Sequence, residues 1–371
     1  MRFFRFSPIR LIFLILLVFV IPLTAFSSSY QQNTQQHTAI SSQFVTRIGN
    51  KLYLNGKEFR FAGANIHWLG MDDADNENYP SHSRIDNVFS AASAMHVTVV
   101  RSHTLGISVG RSNSIEPQLN QFNDQAFEPI DYAIKTAAAH NIHLIIPLVD
   151  NYYYYMGGRH TFTGWRGLSD ENQFYINQTV IQDFKNYISH ILNHVNQYTD
   201  IALKNDPTIM AWETGNELFP IFEWTKTIAG YIKNLTPNQL IVDGRQGIDS
   251  ASLPISSVDI YSDHFYPRDT QRLINDANEV AKQNKVFIVG EYDWTDISQY
   301  SWEASPHQSS PITDFLSAIE INKVAGDLFW ELYDNGYSTD QFAVHYPGDN
   351  PFMQSRVKLL TDHAVKMSVT T

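Results

Sequence analysis

Short apolar runs alternate with longer amphipathic stretches along most of this chain. The short runs are rich in β-branched residues, which is typical of buried strands. They occupy residues 59–67, 97–103, 142–149, 209–217, 240–245, 259–266, 286–293 and 326–333. Between them, apolar residues recur at the three- and four-residue spacing of a helix, most clearly over residues 181–195. The other predicted helices are 124–140, 271–283, 311–322 and 352–367.

This alternation predicts an α/β fold with a parallel sheet whose strands are joined by helices. Eight such units favour a closed (β/α)8 TIM barrel over an open doubly wound sheet, and no glycine-rich dinucleotide motif follows the first strand. We find neither an internal repeat nor a second domain. The predicted loops 68–85 and 151–175 are rich in Asp, Asn, Tyr and Gly and follow strand ends, where barrels of this type build their sites.

The N-terminal part of the chain has a different pattern. Three arginines precede an apolar run over residues 11–26, which is short for a membrane span of about 20 residues. This pattern predicts a secretory signal peptide over residues 1–27, and therefore a secreted protein. An uncleaved membrane anchor is the alternative. Residues 28–43 are polar and uncharged, which predicts a flexible tether, and residues 44–371 form the single predicted folded domain.

Composition excludes several kinds of site. The 371 residues include no cysteine, so disulfides, thiolate metal sites and cysteine nucleophiles are excluded. A formal net charge of −12 disfavours a nucleic-acid partner. No His-Glu-x-x-His pattern occurs, and we expect a monomer with no metal ion and no organic cofactor. The aromatic content of 13% indicates either a large aromatic core or platforms that stack on flat ligands.

Residues with chemical potential collect at the predicted carboxyl ends of five strands. They are Arg101 on the second strand, Asn216 and Glu217 on the fourth, His264 and Tyr266 on the sixth, Glu291 on the seventh and Trp330 on the eighth. Alternation with a period of two places Glu291 on the same face as Phe287 and Val289. Strands four and seven lie on opposite sides of a closed barrel, so we expect Glu217 and Glu291 to face each other across its mouth.

Two facing carboxylates are the arrangement that glycoside hydrolysis needs. The neutral one protonates the leaving oxygen, and the ionised one attacks the anomeric carbon or activates water. Arg101 and Tyr266 are suited to holding the ionised carboxylate by charge and hydrogen bonding. Trp330 is suited to stacking on a sugar ring.

The combined set of strand-end residues resembles glycoside hydrolase family 5, a family of retaining (β/α)8 barrels in clan A. The motifs that carry the resemblance are Arg101, Asn216-Glu217, His264-Phe265-Tyr266, Glu291 and Trp330. The resemblance covers nearly the whole chain from about Leu52 onward. Segment 183–218 looks most like the endo-β-1,4-mannanases of that family, although Leu218 stands where many members have proline.

The resemblance implies the two catalytic residues. Glu217 corresponds to the general acid/base, and Glu291 corresponds to the nucleophile that forms a glycosyl-enzyme. Asn216 corresponds to the residue that binds the 2-hydroxyl of the sugar next to the scissile bond. Retention further implies that the two carboxyl groups are separated by about 5–5.5 Å.

The remaining binding residues are implied in the same way. Arg101 and Tyr266 are expected to hold Glu291, whereas His264 lines the same subsite and Trp330 forms its floor. Asn151, after the third strand, stands where cellulase-like members have histidine, and it suits a mannanase-like substrate site.

Several other residues keep open interpretations. His103 is either a core histidine or part of a subsite wall, and Glu213 is expected to be a buried, paired structural carboxylate. At most half of the tyrosines at 152–155 are expected to reach a ligand. Four tryptophans follow or flank strands, namely Trp68, Trp165, Trp224 and Trp294. One or two of them, including Trp68, are expected to line sugar subsites.

These observations predict a secreted endo-β-1,4-mannanase that acts on a polysaccharide by a two-glutamate double displacement. The first alternative is an endo-β-1,4-glucanase or an exo-β-mannosidase, which would use the same chemistry on a different sugar or at the chain end. A non-catalytic carbohydrate-binding barrel is a rival of another class. A serine esterase is the third rival, because residues 106–110 match a nucleophile elbow around Ser108, but a polar segment with Pro117 follows instead of a helix.

Overall fold

The computed structural model describes residues 44–72, 79–322, 324–334 and 341–368. The predicted signal peptide over 1–27 and the predicted tether over 28–43 lie outside these residues. No helix in the described ranges is both long enough and apolar enough to cross a membrane.

Three short antiparallel strands precede the main sheet. They are β1 (Thr46–Ile48), β2 (Lys51–Leu54) and β3 (Lys57–Phe59). Val45 and Leu52 from this region are buried among the apolar side chains that fill the main sheet's interior. The small sheet therefore packs its apolar face against the barrel described next.

Eight parallel strands close into a barrel, which confirms the predicted fold class. Each pairs with its neighbour in chain order, and the last pairs with the first. The strands are β4 (Phe61–Asn65), β5 (Val99–Arg101), β6 (His143–Pro147), β7 (Ile209–Glu213), β8 (Leu240–Asp243), β9 (Ile260–Phe265), β10 (Val286–Asp293) and β11 (Gly326–Trp330).

Helices connect most of the barrel strands and cover the outside of the sheet. They are α1 (His82–Ala94), α2 (Phe127–Ala139), α3 (Arg159–Trp165), α4 (Gln173–Ile176), α5 (Gln178–Asn193), α6 (Phe222–Leu235), α7 (Thr270–Lys282), α8 (Ile312–Ile321) and α9 (Pro351–Ser368). The connection between β8 and β9 contains turns and no α-helix. Two short strands, β12 (Leu332–Tyr333) and β13 (Val344–His345), pair with each other after the barrel.

The α5 helix shows why these segments become helices. Asn177 accepts hydrogen bonds from the backbone N–H groups of Thr179 and Val180, which caps the helix. The apolar residues at spacing three and four then lie on one buried face against the sheet. The predicted pattern over residues 181–195 is confirmed except at its end, because the helix stops at Asn193.

Side chains inside the barrel change from apolar to charged along the strands. Phe61, Val99 and Ala211 belong to the apolar interior cluster. A period of two brings Asn65, Arg101 and Glu213 to the same interior face further along β4, β5 and β7. The charged layer therefore lies at the carboxyl ends of the strands, where the site is built.

The seventh barrel strand does not keep a regular alternation. One extra residue, Gly290, interrupts the pairing of β10 with β9 between Val289 and Glu291. Ile288 belongs to the barrel interior, whereas Phe287 and Val289 pack among the helix-facing side chains. The expectation that Phe287, Val289 and Glu291 share one face is therefore wrong, because the bulge turns Glu291 inward.

Gly290 is required at this bulge by close packing. A Cβ at this position would lie 2.2 Å from Oγ of Ser262 and 2.8 Å from Nε2 of His264. Both contacts are shorter than real Cβ contacts, so any side chain here would displace a residue of β9. The absence of a side chain therefore allows His264 and Glu291 to lie side by side.

A buried histidine links the last helix to the barrel. Nδ1 of His363 on α9 lies 2.9 Å from Oε1 of Glu320, and Nε2 lies 3.0 Å from Oδ1 of Asp327. Burial disfavours the imidazolium, but Asp327 and Glu320 outweigh burial and raise the pKa of His363. The folded protein therefore binds this proton more tightly than the unfolded chain does.

This linkage predicts a pH-dependent stability. The contribution of His363 is complete below about pH 6.5, the ordinary histidine pKa, and is lost as the pH rises through its raised folded-state value. His363→Gln should lower the free energy of unfolding by about 3 kcal/mol at pH 5.5, and by much less at pH 9. Urea denaturation of both proteins at the two pH values measures this difference, and an equal loss at both would contradict the ion-pair explanation.

Candidate active site

Arg101 is the centre of the charged layer and is almost completely buried. Its Nε donates to Glu213 over 2.7 Å, and its Nη1 donates to Glu291 over 2.7 Å and to Asn65 over 3.2 Å. Its Nη2 donates to Oδ1 of Asn216 over 2.8 Å. One guanidinium therefore fixes side chains from three other barrel strands or strand ends, and the prediction that Glu213 is a buried, paired carboxylate is confirmed.

Glu291 receives donors on both of its oxygens. Arg101 donates to Oε1, and the hydroxyl of Tyr266 donates to Oε2 over 3.0 Å. Nε2 of His103 lies 3.8 Å from Oε1. These contacts stabilise the ionised carboxylate and fix its orientation toward the cavity.

Glu217 lies four residues beyond the end of β7, on a loop rather than on the predicted strand. Its φ of 51° lies in the left-handed region, which costs a non-glycine residue about 1–3 kcal/mol. The flanking backbone is held on both sides, because Asn216 N–H donates to Val149 and Leu218 N–H donates to Gly244. The surrounding barrel thus maintains a strained backbone that points this carboxylate into the site.

His264 lies between the two glutamates. Its Nδ1 is 2.7 Å from Oε1 of Glu217 and 3.6 Å from Oε1 of Glu291. One oxygen of each glutamate and a ring nitrogen of His264 all lie within 4.8 Å of one another. This spacing would also suit a small cation, but Arg101 and His264 already supply positive charge to these oxygens.

The three side chains shift each other's pKa. Burial disfavours the imidazolium of His264, but Glu291 and Glu217 outweigh burial and raise its pKa. Burial favours the neutral form of Glu217, but the hydrogen bond from His264 outweighs burial and lowers the pKa of Glu217. Burial raises the pKa of Glu291, against the opposing effects of His264 and Arg101. These directions place the proton on His264 in the free site and leave Glu217 ionised beside it.

Both glutamates open into a cavity of about 670 Å³. Trp330 lies on its wall and stacks on His67, with ring centroids 5.7 Å apart and an angle of 12°. Nδ1 of His67 is bonded to Oε2 of Glu331 over 2.5 Å. The cavity is therefore mainly aromatic around a small set of charged groups, which is typical of a site for sugar rings.

Residues 42–264 match the sequence model of a family that is described as "GH family 5 beta-mannosidase-like". The chain belongs to glycoside hydrolase family 5. Mannan endo-1,4-beta-mannosidase 3 of Arabidopsis thaliana is 27% identical, with 86% of this chain and 89% of the relative covered. Mannan endo-1,4-beta-mannosidase 4 of Solanum lycopersicum is 32% identical over 63% of this chain and 60% of its own.

The fold comparison gives the same family. The crystal structure of the endo-1,4-beta-mannanase from Rhizomucor miehei superposes with a TM-score of 0.74 at 26% identity. The match covers 88% of this chain and 99% of that one. The predicted resemblance to family 5 is thereby confirmed.

The structure of this family 5 barrel brings together seven of the nine site residues predicted from the sequence. These are Arg101, Asn216, Glu217, His264, Tyr266, Glu291 and Trp330. Asn216 additionally donates through Nδ2 to Asp150 over 3.1 Å, so both ends of its amide are fixed. The two exceptions are Trp68 and Asn151.

Trp68 does not reach the cavity. Its side chain is 0% exposed and packs beneath the guanidinium of Arg84, which lies 4.2 Å from the ring centroid. Assigning Trp68 to a sugar subsite is therefore wrong, because the residue after the first barrel strand turns into the core. Trp165, Trp224 and Trp294 also pack against the core.

Asn151 is directed to a neighbouring loop residue instead of the cavity. Its Oδ1 accepts a hydrogen bond from Nε of Arg159 over 2.8 Å, and the residue is 8% exposed. Its backbone N–H donates to the carbonyl of Asn216, so Asn151 supports the loop that carries Glu217. The prediction that the Asn151 side chain contacts the substrate directly is therefore wrong.

Several cavity residues were not found from the sequence. Tyr152, Tyr154 and Tyr155 all line the cavity, so the limit of half of the four tyrosines is wrong. Residues 152–155 are irregular rather than extended, and strand alternation does not apply to them. The open question about His103 is answered, because this residue is both buried and part of the wall. His67 and Glu331 lie within the predicted first and eighth strands but were not assigned to the site, and Trp302 lies in a loop that carries no periodic signal.

The esterase alternative finds no support at Ser108. Its Oγ is buried and accepts a hydrogen bond from the backbone N–H of Ile115 over 2.9 Å. A three-residue turn and loop surround it instead of the strand–turn–helix of a nucleophile elbow.

Tyr266→Phe tests the hydrogen bond that the Tyr266 hydroxyl donates to Oε2 of Glu291. Removing a hydrogen bond to a charged group costs about 1.5–3 kcal/mol, so kcat on a cleaved glycan should fall about 10- to 150-fold. The ring is kept, so KM should change little. Steady-state kinetics measures both constants, and an increase confined to KM would show that Tyr266 binds sugar instead of orienting Glu291.

Proposed function

We propose that this protein hydrolyses β-1,4-mannosidic bonds within mannans, with net retention of configuration. The observation that carries the proposal is the pair of glutamate oxygens within 4.8 Å, each already oriented by its own donor. Carboxyl groups about 5–5.5 Å apart act as acid and nucleophile, whereas inverting enzymes need about 6.5–9.5 Å to admit a water. The short separation therefore supports double displacement.

In the first step, Glu291 attacks the anomeric carbon and forms a glycosyl-enzyme. Glu217 gives its proton to the glycosidic oxygen as the bond to the leaving sugar breaks. In the free site this proton is on His264, and it can pass to Glu217 when substrate binds, because Nδ1 and Oε1 are 2.7 Å apart. Arg101 and Tyr266 oppose the burial that raises the pKa of Glu291, and so favour its nucleophilic, ionised form.

In the second step, water replaces the departed sugar beside Glu217. Glu217, now ionised, removes a proton from this water, and the resulting hydroxide attacks the anomeric carbon from the same side as the original leaving group. The bond to Glu291 breaks, and its carboxylate returns to Arg101. Asn216, held by Arg101 and Asp150, is placed to bind the 2-hydroxyl during both steps.

Mannan as the substrate is supported by the relatives rather than by a single contact. The two plant relatives are named for mannan endo-1,4-beta-mannosidase activity, and the structural neighbour from Rhizomucor miehei is an endo-1,4-beta-mannanase. Glucose and mannose differ in the orientation of the 2-hydroxyl. An endo-β-1,4-glucanase therefore remains the second candidate, since the same carboxylates would serve it.

The test is a product profile on linear β-1,4-mannan, carboxymethylcellulose and mannohexaose. We expect reducing ends from mannan with a rapid fall in viscosity, and mannobiose and mannotriose as major products. Cleavage of carboxymethylcellulose alone would overturn the mannan assignment, and release of mannose alone would indicate exo action. Ser108→Ala is the matched control, and its activity should equal that of the unchanged protein.

We also propose that the enzyme is secreted after removal of residues 1–27. The support is the basic, apolar and small-residue pattern of the N-terminus. Expression of the full chain followed by N-terminal sequencing of the exported protein tests this. Recovery of the intact N-terminus in a membrane fraction would instead support the anchor.

A further inference from the structure

The loop that follows β10 is clamped to the barrel at both ends. Arg268, which is fully buried, donates through Nη1 to the carbonyl of Thr295 over 2.8 Å and through Nε to the carbonyl of Ser310 over 3.1 Å. One guanidinium thus holds the start and the end of the loop over residues 294–311. Such fixed ends restrict how far the middle of the loop can move.

The middle of this loop is ordered by a second network. Tyr300 is buried, and its hydroxyl donates to Asp293 over 2.9 Å while its backbone N–H donates to Glu303 over 2.8 Å. His307 bonds to the same carboxylate over 2.5 Å and packs on the Tyr300 ring at 4.2 Å. The turn that carries residue 302 is therefore held in one conformation.

Trp302 lies in this turn and is 61% exposed. One face of its indole stacks on Tyr300, with centroids 4.8 Å apart and an angle of 30°. Its ring centroid lies 6.3 Å from that of Tyr266, with the two rings at 80°, and Tyr266 is the residue that donates to Glu291. The exposed part of the ring lines the same cavity as the two glutamates.

A large aromatic ring held rigidly and left open to the catalytic cavity is not explained by core packing. Burying its free face would remove apolar area from water, and the rigid loop means that little entropy is lost on binding. The C–H face of a pyranose is a suitable partner for such a ring. Because Trp302 lies next to Tyr266, the sugar that stacks on it is one or more sugar units away from the sugar that Glu291 attacks.

We propose that Trp302 is a stacking platform for a hexopyranose unit outside the reacting subsite, and that it makes catalysis depend on glycan length. The inference rests on the proposed function, because it concerns the same cleft. It predicts that Trp302 contributes to longer substrates and contributes nothing to a substrate with a single sugar.

The experiment compares mannohexaose with 2,4-dinitrophenyl β-mannoside, which places one sugar in the reacting subsite and no sugar beyond it. Trp302→Ala should lower kcat/KM for mannohexaose about tenfold, mainly through KM, and should leave the aryl mannoside within about twofold. Trp302→Phe should keep most of the activity on mannohexaose. Phe352→Ala is the matched control, since Phe352 is also exposed, at 47%, but does not line the cavity.

Two outcomes would overturn the platform. Equal losses on both substrates would mean that Trp302 acts through Tyr266 on the chemistry, and unchanged kinetics on mannohexaose would mean that it binds no sugar. Trp302→Leu, which keeps apolar packing on Tyr300 without a flat ring, replaces the alanine variant if that variant does not fold. It should also weaken mannohexaose binding.

Failure of the proposed function gives a different result. If the unchanged protein cleaves neither substrate, calorimetric titration of this protein and of Trp302→Leu with mannohexaose and cellohexaose tests the platform without turnover. Weaker binding of mannohexaose or cellohexaose by the variant then supports the platform, and Kd values that do not differ between the variant and the unchanged protein contradict it.

Discussion

Glu291→Ala is expected to lower kcat on mannan by about 10⁴-fold or more while the protein stays folded. The variant removes the group that forms the glycosyl-enzyme, and no other carboxylate lies at the same bonding position among the described residues of the cavity. Glu217 and His264 remain in place, so proton donation is kept. The loss is measured by steady-state kinetics alongside the thermal unfolding temperature of both proteins.

Azide provides the decisive readout for this variant. The alanine leaves a space next to Nη1 of Arg101 and the hydroxyl of Tyr266, which attract a small anion. Azide bound there should attack the anomeric carbon of 2,4-dinitrophenyl β-mannoside directly and yield α-mannosyl azide. A folded variant that azide does not rescue, or that forms the β-azide, would contradict the assignment of Glu291 as nucleophile.

Glu223→Ala is the matched control for the loss of a carboxylate. Its side chain is 72% exposed on α6, so it takes no part in the cavity. Its kcat should equal that of the unchanged protein, with or without azide.

Glu217→Ala is expected to lower kcat on mannan by about 10²- to 10⁴-fold, the usual contribution of a positioned acid or base. Dinitrophenolate needs no proton to leave, so the first step on the aryl mannoside should stay fast. The second step lacks its general base and becomes slow, so a burst of dinitrophenolate should precede slow turnover. Rapid-mixing absorbance measurements resolve the two phases.

The azide product separates the two glutamates. In Glu217→Ala, azide enters from the leaving-group side, needs no general base and attacks the glycosyl-enzyme on Glu291. The product should therefore be β-mannosyl azide, opposite in configuration to the product of the Glu291 variant. Formation of the same anomer by both variants would show that the roles have been assigned wrongly.

The barrel and the main chemical residues could be predicted from the sequence because each depends on local information. Eight short apolar runs occur along the chain, and helical patterns follow five of them, which few folds satisfy. Arg101, Glu291 and Trp330 stand at the carboxyl ends of these runs, where parallel strands deliver their side chains to one site. The resemblance to family 5 added the order in which these residues occur.

The aromatic residues of the cavity could not be assigned in this way. Trp68 and Trp302 both stand in loops after barrel strands, yet the first is fully buried and the second is exposed in the cavity. The difference arises from distant partners, since Arg84 packs on Trp68 whereas Tyr300 supports only one face of Trp302. A loop sequence contains no period from which these partners can be inferred.

The sequence by itself determined which residue types stand at the ends of the strands, and therefore the kind of chemistry that this protein can perform. Only the tertiary structure decided their orientation. Gly290 inserts one residue into β10 and inverts the face of Glu291, and the left-handed backbone at Glu217 turns its carboxylate back toward His264. Alternation predicts faces only while a strand is regular, and both glutamates lie where neighbouring strands make the backbone irregular.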